Sequence, residues 1–162
     1  MDLEQHKRKA QEELEGNKKF ARQLKKKKPK DLDQHTHIAH DDAFEKIDCL
    51  DCANCCKSIS PIITDKDIQR IAKHLKVKPS KFVDEYLNLD EDGDYVYKEQ
   101  PCPFLAPDNY CFIYNVRPKA CAEYPHTDRK KFVQLLDLSV KNTLICPAVE
   151  SVFKDLKTHY ST

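Results

Sequence analysis

Eight cysteines are the residues of this chain best equipped for chemistry: Cys49, Cys52, Cys55, Cys56, Cys102, Cys111, Cys121 and Cys146. Four of them fall within eight positions, Cys49 to Cys56. Scattered buried thiols, packing as small hydrophobes, do not account for that density. An even count would allow four disulfides, but such frameworks belong to small exported domains. The opening residues Met1-Asp2-Leu3-Glu4-Gln5-His6 lack the apolar stretch of a secretory leader, so the expectation is a cytoplasmic protein with reduced thiols. Ligation of a metal ion or cluster is the stronger reading. Cys49-x-x-Cys52-x-x-Cys55 repeats a two-residue gap, and each C-x-x-C turn directs two thiolates into one pocket. That spacing suits tetrahedral zinc or an iron–sulfur cluster. Cys102-Pro103 and Cys146-Pro147 add the cysteine–proline pair of bacterial ferredoxins, although the full ferredoxin spacing is not reproduced.

Cys55 and Cys56 are adjacent. Neighbouring side chains usually diverge, so the pair is expected to serve two centres, or two irons of one polynuclear centre, rather than to chelate one ion. Eight thiolates fit two four-coordinate sites, a cluster plus a zinc, or one larger cluster. Each grouping accumulates negative charge, and Lys57, Arg117 and Lys119 stand close enough in sequence to offset it or to donate to sulfur. Lys57 and Arg117 are the candidates taken forward as contacts to the bound group. Tyr114, Glu123, Tyr124 and His126 are further polar residues near the cysteines, without an assigned catalytic role.

Other function classes are narrowed by composition. The chain has 162 residues and only 2 glycines, Gly16 and Gly93, too few for a phosphate loop or a dinucleotide fingerprint. No apolar run approaches the roughly 18 residues of a membrane span, so no membrane association is expected. Net charge is +1, but unevenly laid out. Residues 7–30 hold eleven Lys/Arg against three acids, residues 31–48 one Lys against six acids, and residues 49–162 sixteen of each sign. The run Lys25 to Lys28 with Lys30 reads as a solvated helix end, since lysines there complement the helix dipole. No base-reading motif accompanies it, so no nucleic acid is expected as a partner; a protein partner is left open.

The elements that must position the cysteines follow from periodicity. Residues 3–28 predict a helix with a thin apolar stripe, Leu3, Ala10, Leu14, Phe20, Ala21 and Leu24, suited to docking on a domain rather than to forming a core. Residues 31–48, with His35, His37 and His40, read as an acidic, histidine-bearing linker that could lend nitrogen ligands. Thr64-x-x-Asp67 resembles a capping box, followed by one apolar face of Ile68, Ile71, Ala72 and Leu75. Pro79 opens a second helix with Phe82, Val83, Tyr86 and Leu87. Tyr95–Tyr97 and Cys111–Tyr114 predict short strands, and residues 90–94 a turn. Pro118 starts a short helix carrying Cys121, and Pro147 a final helix with Val149, Val152, Phe153 and Leu156 on one face. The expected fold is a small, loop-rich α+β domain, mostly helical, organised around cysteine-ligated metal centres. Its parts are an N-terminal basic helix (1–30), a linker (31–48) and the cysteine domain (49–160). Metal would supply stability that so small a core cannot.

The chain resembles the YkgJ-type cysteine-cluster family, the CxxCxxCC proteins. The first signature is Cys49-Leu50-Asp51-Cys52-Ala53-Asn54-Cys55-Cys56-Lys57. The second runs Cys102-Pro103-Phe104-Leu105, then Cys111-Phe112-Ile113-Tyr114-Asn115-Val116-Arg117-Pro118-Lys119-Ala120-Cys121-Ala122-Glu123-Tyr124-Pro125, and Cys146-Pro147 closes the pattern. Two positions depart from it. Ala53 stands where the family often has Gly, and Ala122 where it often has Arg. The resemblance implies chelation of iron or zinc through the eight cysteines. Three functions follow as expectations: an iron–sulfur or polynuclear iron protein in electron transfer or in support of a modification enzyme; a structural zinc interaction module; or a metal-dependent modifying enzyme related to the flagellin lysine N-methylases that some larger relatives resemble.

Overall fold

Thr64 begins a helix as its sequence requires. In a computed structural model, which describes residues 1–161, its hydroxyl accepts from the Asp67 N–H at 3.2 Å, while the Asp67 carboxylate accepts from the Thr64 N–H at 2.9 Å. Both halves of the capping box are therefore made, and α5 (Asp65–Leu75) follows. The helices before it are α1 (Leu3–Lys27), α2 (Leu32–Lys46), α3 (Cys49–Cys52) and α4 (Asn54–Ser58). After it come α6 (Pro79–Tyr86), strands β1 (Leu87–Leu89) and β2 (Tyr95–Tyr97), then α7 (Lys119–Glu123), α8 (Leu136–Thr143) and α9 (Pro147–Tyr160). The mostly helical α+β character matches the sequence reading.

The chain divides into two units, residues 1–52 with 125–162, and residues 53–124. The first is helical. Phe20, Ala21 and Leu24 of α1, Ala39 and Ala43 of α2, Leu136 and Val140 of α8, and Val149, Val152, Phe153 and Leu156 of α9 form one buried cluster. Phe20 meets Phe153 edge to face, with ring centroids 6.4 Å apart. The last helix has the apolar face its spacing predicts. The N-terminal helix departs from expectation, because its stripe is part of the core of this unit. The reason is its partners: a narrow stripe suffices when α8 and α9 cover it.

Residues 31–48, read as a linker, contain α2. Their polarity misled because the histidines find tertiary partners. His37 Nε2 lies 3.2 Å from the Arg129 carbonyl, and His40 Nδ1 lies 2.7 Å from the Thr127 hydroxyl. The Asp33 carboxylate accepts from the N–H groups of Lys131 and Phe132.

The second unit has its own core: Ile63, Ile68, Ile71, Ala72, Phe82, Leu87, Tyr97, Phe104 and Ile113. Strands β1 and β2 pair antiparallel, Leu87 opposite Tyr97 and Leu89 opposite Tyr95. Their turn is closed by Asp90, whose carboxylate accepts from the Asp92 and Asp94 N–H groups, with Gly93 at φ 81°. The predicted strand at Cys111–Tyr114 does not form. Cys111 makes only an isolated bridge to Leu105, and Tyr114–Val116 tighten into a single 3-10 turn. Pro118 just downstream has no N–H and cannot extend a ladder.

Candidate metal centre

The second unit brings five cysteines, and the backbone explains how. Cys55 and Cys56 lie in α4, the turn whose leading residue, Ala53, is left-handed at φ 46°. The Cys102 N–H donates to the Cys56 carbonyl at 2.8 Å, which ties the second cysteine segment to the first. The bridge between Leu105 and Cys111, with the Phe112 N–H bonded to the Phe104 carbonyl at 2.9 Å, folds Cys111 back beside it. Asp67 then sets α7. It is buried, accepts from Arg70 Nη2 at 2.6 Å and from the Lys119 N–H at 3.0 Å, and so holds the start of the helix that carries Cys121. Arg70 also donates to the Val116 and Arg117 carbonyls. The capping residue legible in the sequence is thus also the anchor of a cysteine segment.

Electrostatics group these thiols. Burial pushes the Cys121 thiol up to about 12, and the charges of Cys56, Cys102 and Cys111 add to it while Arg117 opposes. Burial raises Cys102 to about 11, with Cys56 and Cys111 adding, against N–H donors of Phe104 and Leu105 on its sulfur. Cys111 is raised by burial and by Cys56, against the Ile113 N–H and the charge of Arg117. Cys56 goes the other way. A hydrogen bond from the Cys55 thiol outweighs burial, the Lys57 charge helps, and its thiol is lowered to about 7.

The first unit brings three. Cys49 and Cys52 occupy α3, whose entry is shaped by the Asp48 carboxylate accepting from the Leu50 N–H at 2.8 Å. Cys146 precedes Pro147 at the start of α9. Burial raises its thiol to about 11, the Val149 and Ala148 N–H groups pull it down, and the charges of Cys52 and Cys49 push it up again. Amides aimed at sulfur from a helix start favour the thiolate, the form that a metal binds. Among the described residues no cysteine is in a disulfide.

The Lys57 charge lowers the Cys56 thiol, and the Arg117 charge lowers those of Cys111 and Cys121. The Arg117 guanidinium lies 3.9 Å over the Tyr114 ring and donates to the Tyr114 carbonyl at 3.1 Å. Lys119 is not directed at sulfur; its ammonium lies 3.8 Å from Glu123.

Tyr97 was read only as a strand residue. Its backbone is fixed, N–H to the Ser60 hydroxyl at 2.8 Å, yet its buried hydroxyl has no hydrogen-bond partner among the described residues. Burial raises that hydroxyl above the ordinary tyrosine range, and the charges of Cys102, Cys121 and Cys111 raise it further. An orphan O–H donor beside thiols fits a group that carries sulfur or negative charge, because a buried donor without an acceptor costs about 1–3 kcal/mol. Strand alternation gives no signal for this role. The donor set itself, soft thiolates with amide donors, fits zinc or iron and not a hard cation.

No curated protein and no solved structure matches the chain. Residues 48–141, more than half of the chain, match the CxxCxxCC family. They include seven of the eight cysteines, from Cys49 to Cys121. On this match the chain belongs to the CxxCxxCC family, described as a zinc- or iron-chelating domain.

Proposed function

We propose that this protein holds iron through its cysteines, as an iron–sulfur cluster or a polynuclear iron centre, and uses it in electron transfer or in support of a modification enzyme. The observation that carries this reading is the second unit's surplus of sulfur. Cys56, Cys102, Cys111 and Cys121 act on one another, and Cys55 is hydrogen bonded to Cys56. A closed tetrahedral zinc site takes four thiolates and has no use for a fifth. A cluster has several irons to ligate, so adjacent sulfurs can be accommodated. Lys57, Arg117 and the Tyr97 hydroxyl supply the positive charge and hydrogen bonding that tune such a centre. Thiolate ligands need a reducing compartment such as the cytoplasm.

A structural zinc module is the second reading. What favours it is that the thiols acting on one another, Cys56, Cys102, Cys111 and Cys121, are four, the number a tetrahedral zinc site takes. Anaerobic purification with an absorption spectrum and elemental analysis separates the two. Iron with charge-transfer absorption is expected, whereas a colourless protein with stoichiometric zinc overturns the iron assignment. Cys55→Ser and Cys102→Ser are each expected to lower metal content and destabilise the fold. Unchanged metal in both refutes cysteine ligation.

A further inference from the structure

We propose that Asp31, His35 and His159 form a second metal site, for a zinc-type divalent transition ion, with no cysteine among its ligands. The site uses nitrogen and oxygen donors and stands whichever metal the cysteines hold. Asp31 precedes α2 and His35 lies one turn into it, so the two share a face. His159 lies in the last turn of α9, which packs against α2 in the first unit.

Their donor atoms converge. His35 Nε2 is 3.2 Å from Asp31 Oδ2, and His159 Nε2 is 3.9 Å from the same oxygen. All three ligand atoms lie within 4.8 Å of one another. A tetrahedral ion with bonds of about 2.0–2.1 Å holds its ligand atoms roughly 3.3 Å apart, so Asp31 and His35 stand at ligand separation and the His159 ring turns away from that of His35 to complete the site. The imidazole rings are face to face, centroids 3.6 Å apart and tilted by 33°. Both imidazoles turn Nε2 towards one carboxylate oxygen; in the tautomer with the proton on Nδ1, each Nε2 offers its lone pair to a cation that takes the place of the Nε2 proton.

The carboxylate is oriented from outside the triad. The Tyr160 hydroxyl donates to Asp31 Oδ1 at 3.0 Å, which leaves Oδ2 turned to the histidines. Outer partners of this kind fix ligand direction in metal sites. Asp31 and His159 are nearly half exposed, so an ion can enter from solvent and keep water in its remaining position. Two nitrogen donors out of three select against calcium and magnesium, which take oxygen. A bound ion would clamp the start of α2 to the end of α9.

The test compares the full-length protein with the His35→Gln/His159→Gln double variant, each saturated with zinc and freed of loose ion. Total zinc plus iron is expected to be one equivalent higher in the wild type. Added Co²⁺ should produce ligand-field absorption without sulfur-to-cobalt charge transfer. Both features, and a zinc-induced rise in melting temperature, should be lost in the double variant, with its helical circular dichroism retained. Tyr160→Phe should weaken the site about tenfold. Equal metal equivalents in wild type and double variant, or a cobalt spectrum with sulfur charge transfer at the additional equivalent, overturns the proposal. Loss of the cysteine-bound metal alone would leave the one-equivalent difference intact, so the two assignments fail separately.

Discussion

The Cys55 thiol donates a hydrogen bond to the sulfur of Cys56, its neighbour in sequence. One proton therefore stabilises one thiolate, and the Lys57 charge assists. Cys56 is thereby lowered, whereas burial raises Cys102, Cys121 and Cys146.

In metal-free, reduced protein, Cys56 should be the first of these thiols alkylated, with a rate midpoint at pH about 7. The lowered value means that the thiolate persists above that pH and is lost as pH falls through it. Cys102 and Cys146, pushed up to about 11, should react slowly at neutral pH. Peptide mapping after timed iodoacetamide treatment reads both. Equal rates at all three cysteines would contradict the grouping, and restored metal should protect Cys56.

Tyr97→Phe should act differently with and without the bound centre. Removing an orphan buried hydroxyl from metal-free protein is expected to leave stability unchanged or to raise it by about 1 kcal/mol. In metal-loaded protein the same change removes a donor to the centre. It should alter the absorption spectrum or speed metal loss to a chelator. Identical spectra and identical release rates would remove Tyr97 from the site.

Ala53→Gly should stabilise the protein by about 1 kcal/mol, because Ala53 is held left-handed, where a Cβ is penalised and glycine is not. Urea unfolding of matched metal-free samples gives the comparison; a variant no more stable than the parent would argue against strain at this turn.

Asp67→Asn should cost about 3 kcal/mol, since the carboxylate is buried and satisfies Thr64, Arg70 and the Lys119 amide together. Burial opposes its ionisation, but these bonds outweigh it and lower its pKa below the ordinary 3.8. A lowered carboxyl contributes stability above that value and loses it as pH falls below. Acid unfolding of the wild type should therefore steepen below about pH 4, and the variant should lack that part of the slope. Parallel acid profiles would contradict the role. A reduced metal content in the variant would report the loosened α7.

Local chemistry made much of this protein readable from residue order. The capping box at Thr64 and Asp67, the prolines that open α6 and α9, and the apolar face from Val149 to Leu156 depend on neighbours within a few positions, so periodicity reveals them. The cysteine cluster that marks the family was recognisable because thiolate spacing is itself a local signal. Other features needed the folded chain. The polarity of residues 31–48 hid α2, because its histidines are satisfied by Thr127 and by the Arg129 carbonyl from the far end of the sequence. The thin stripe of α1 became core only once α8 and α9 lay against it. The division of sulfur into Cys49, Cys52 and Cys146 in one unit and five cysteines in the other, the aim of the Tyr97 hydroxyl, and the meeting of Asp31 with His159 were all decided by tertiary packing. Those relationships join residues up to 128 positions apart, Asp31 and His159, and no spacing along a chain encodes which distant side chains packing will bring together.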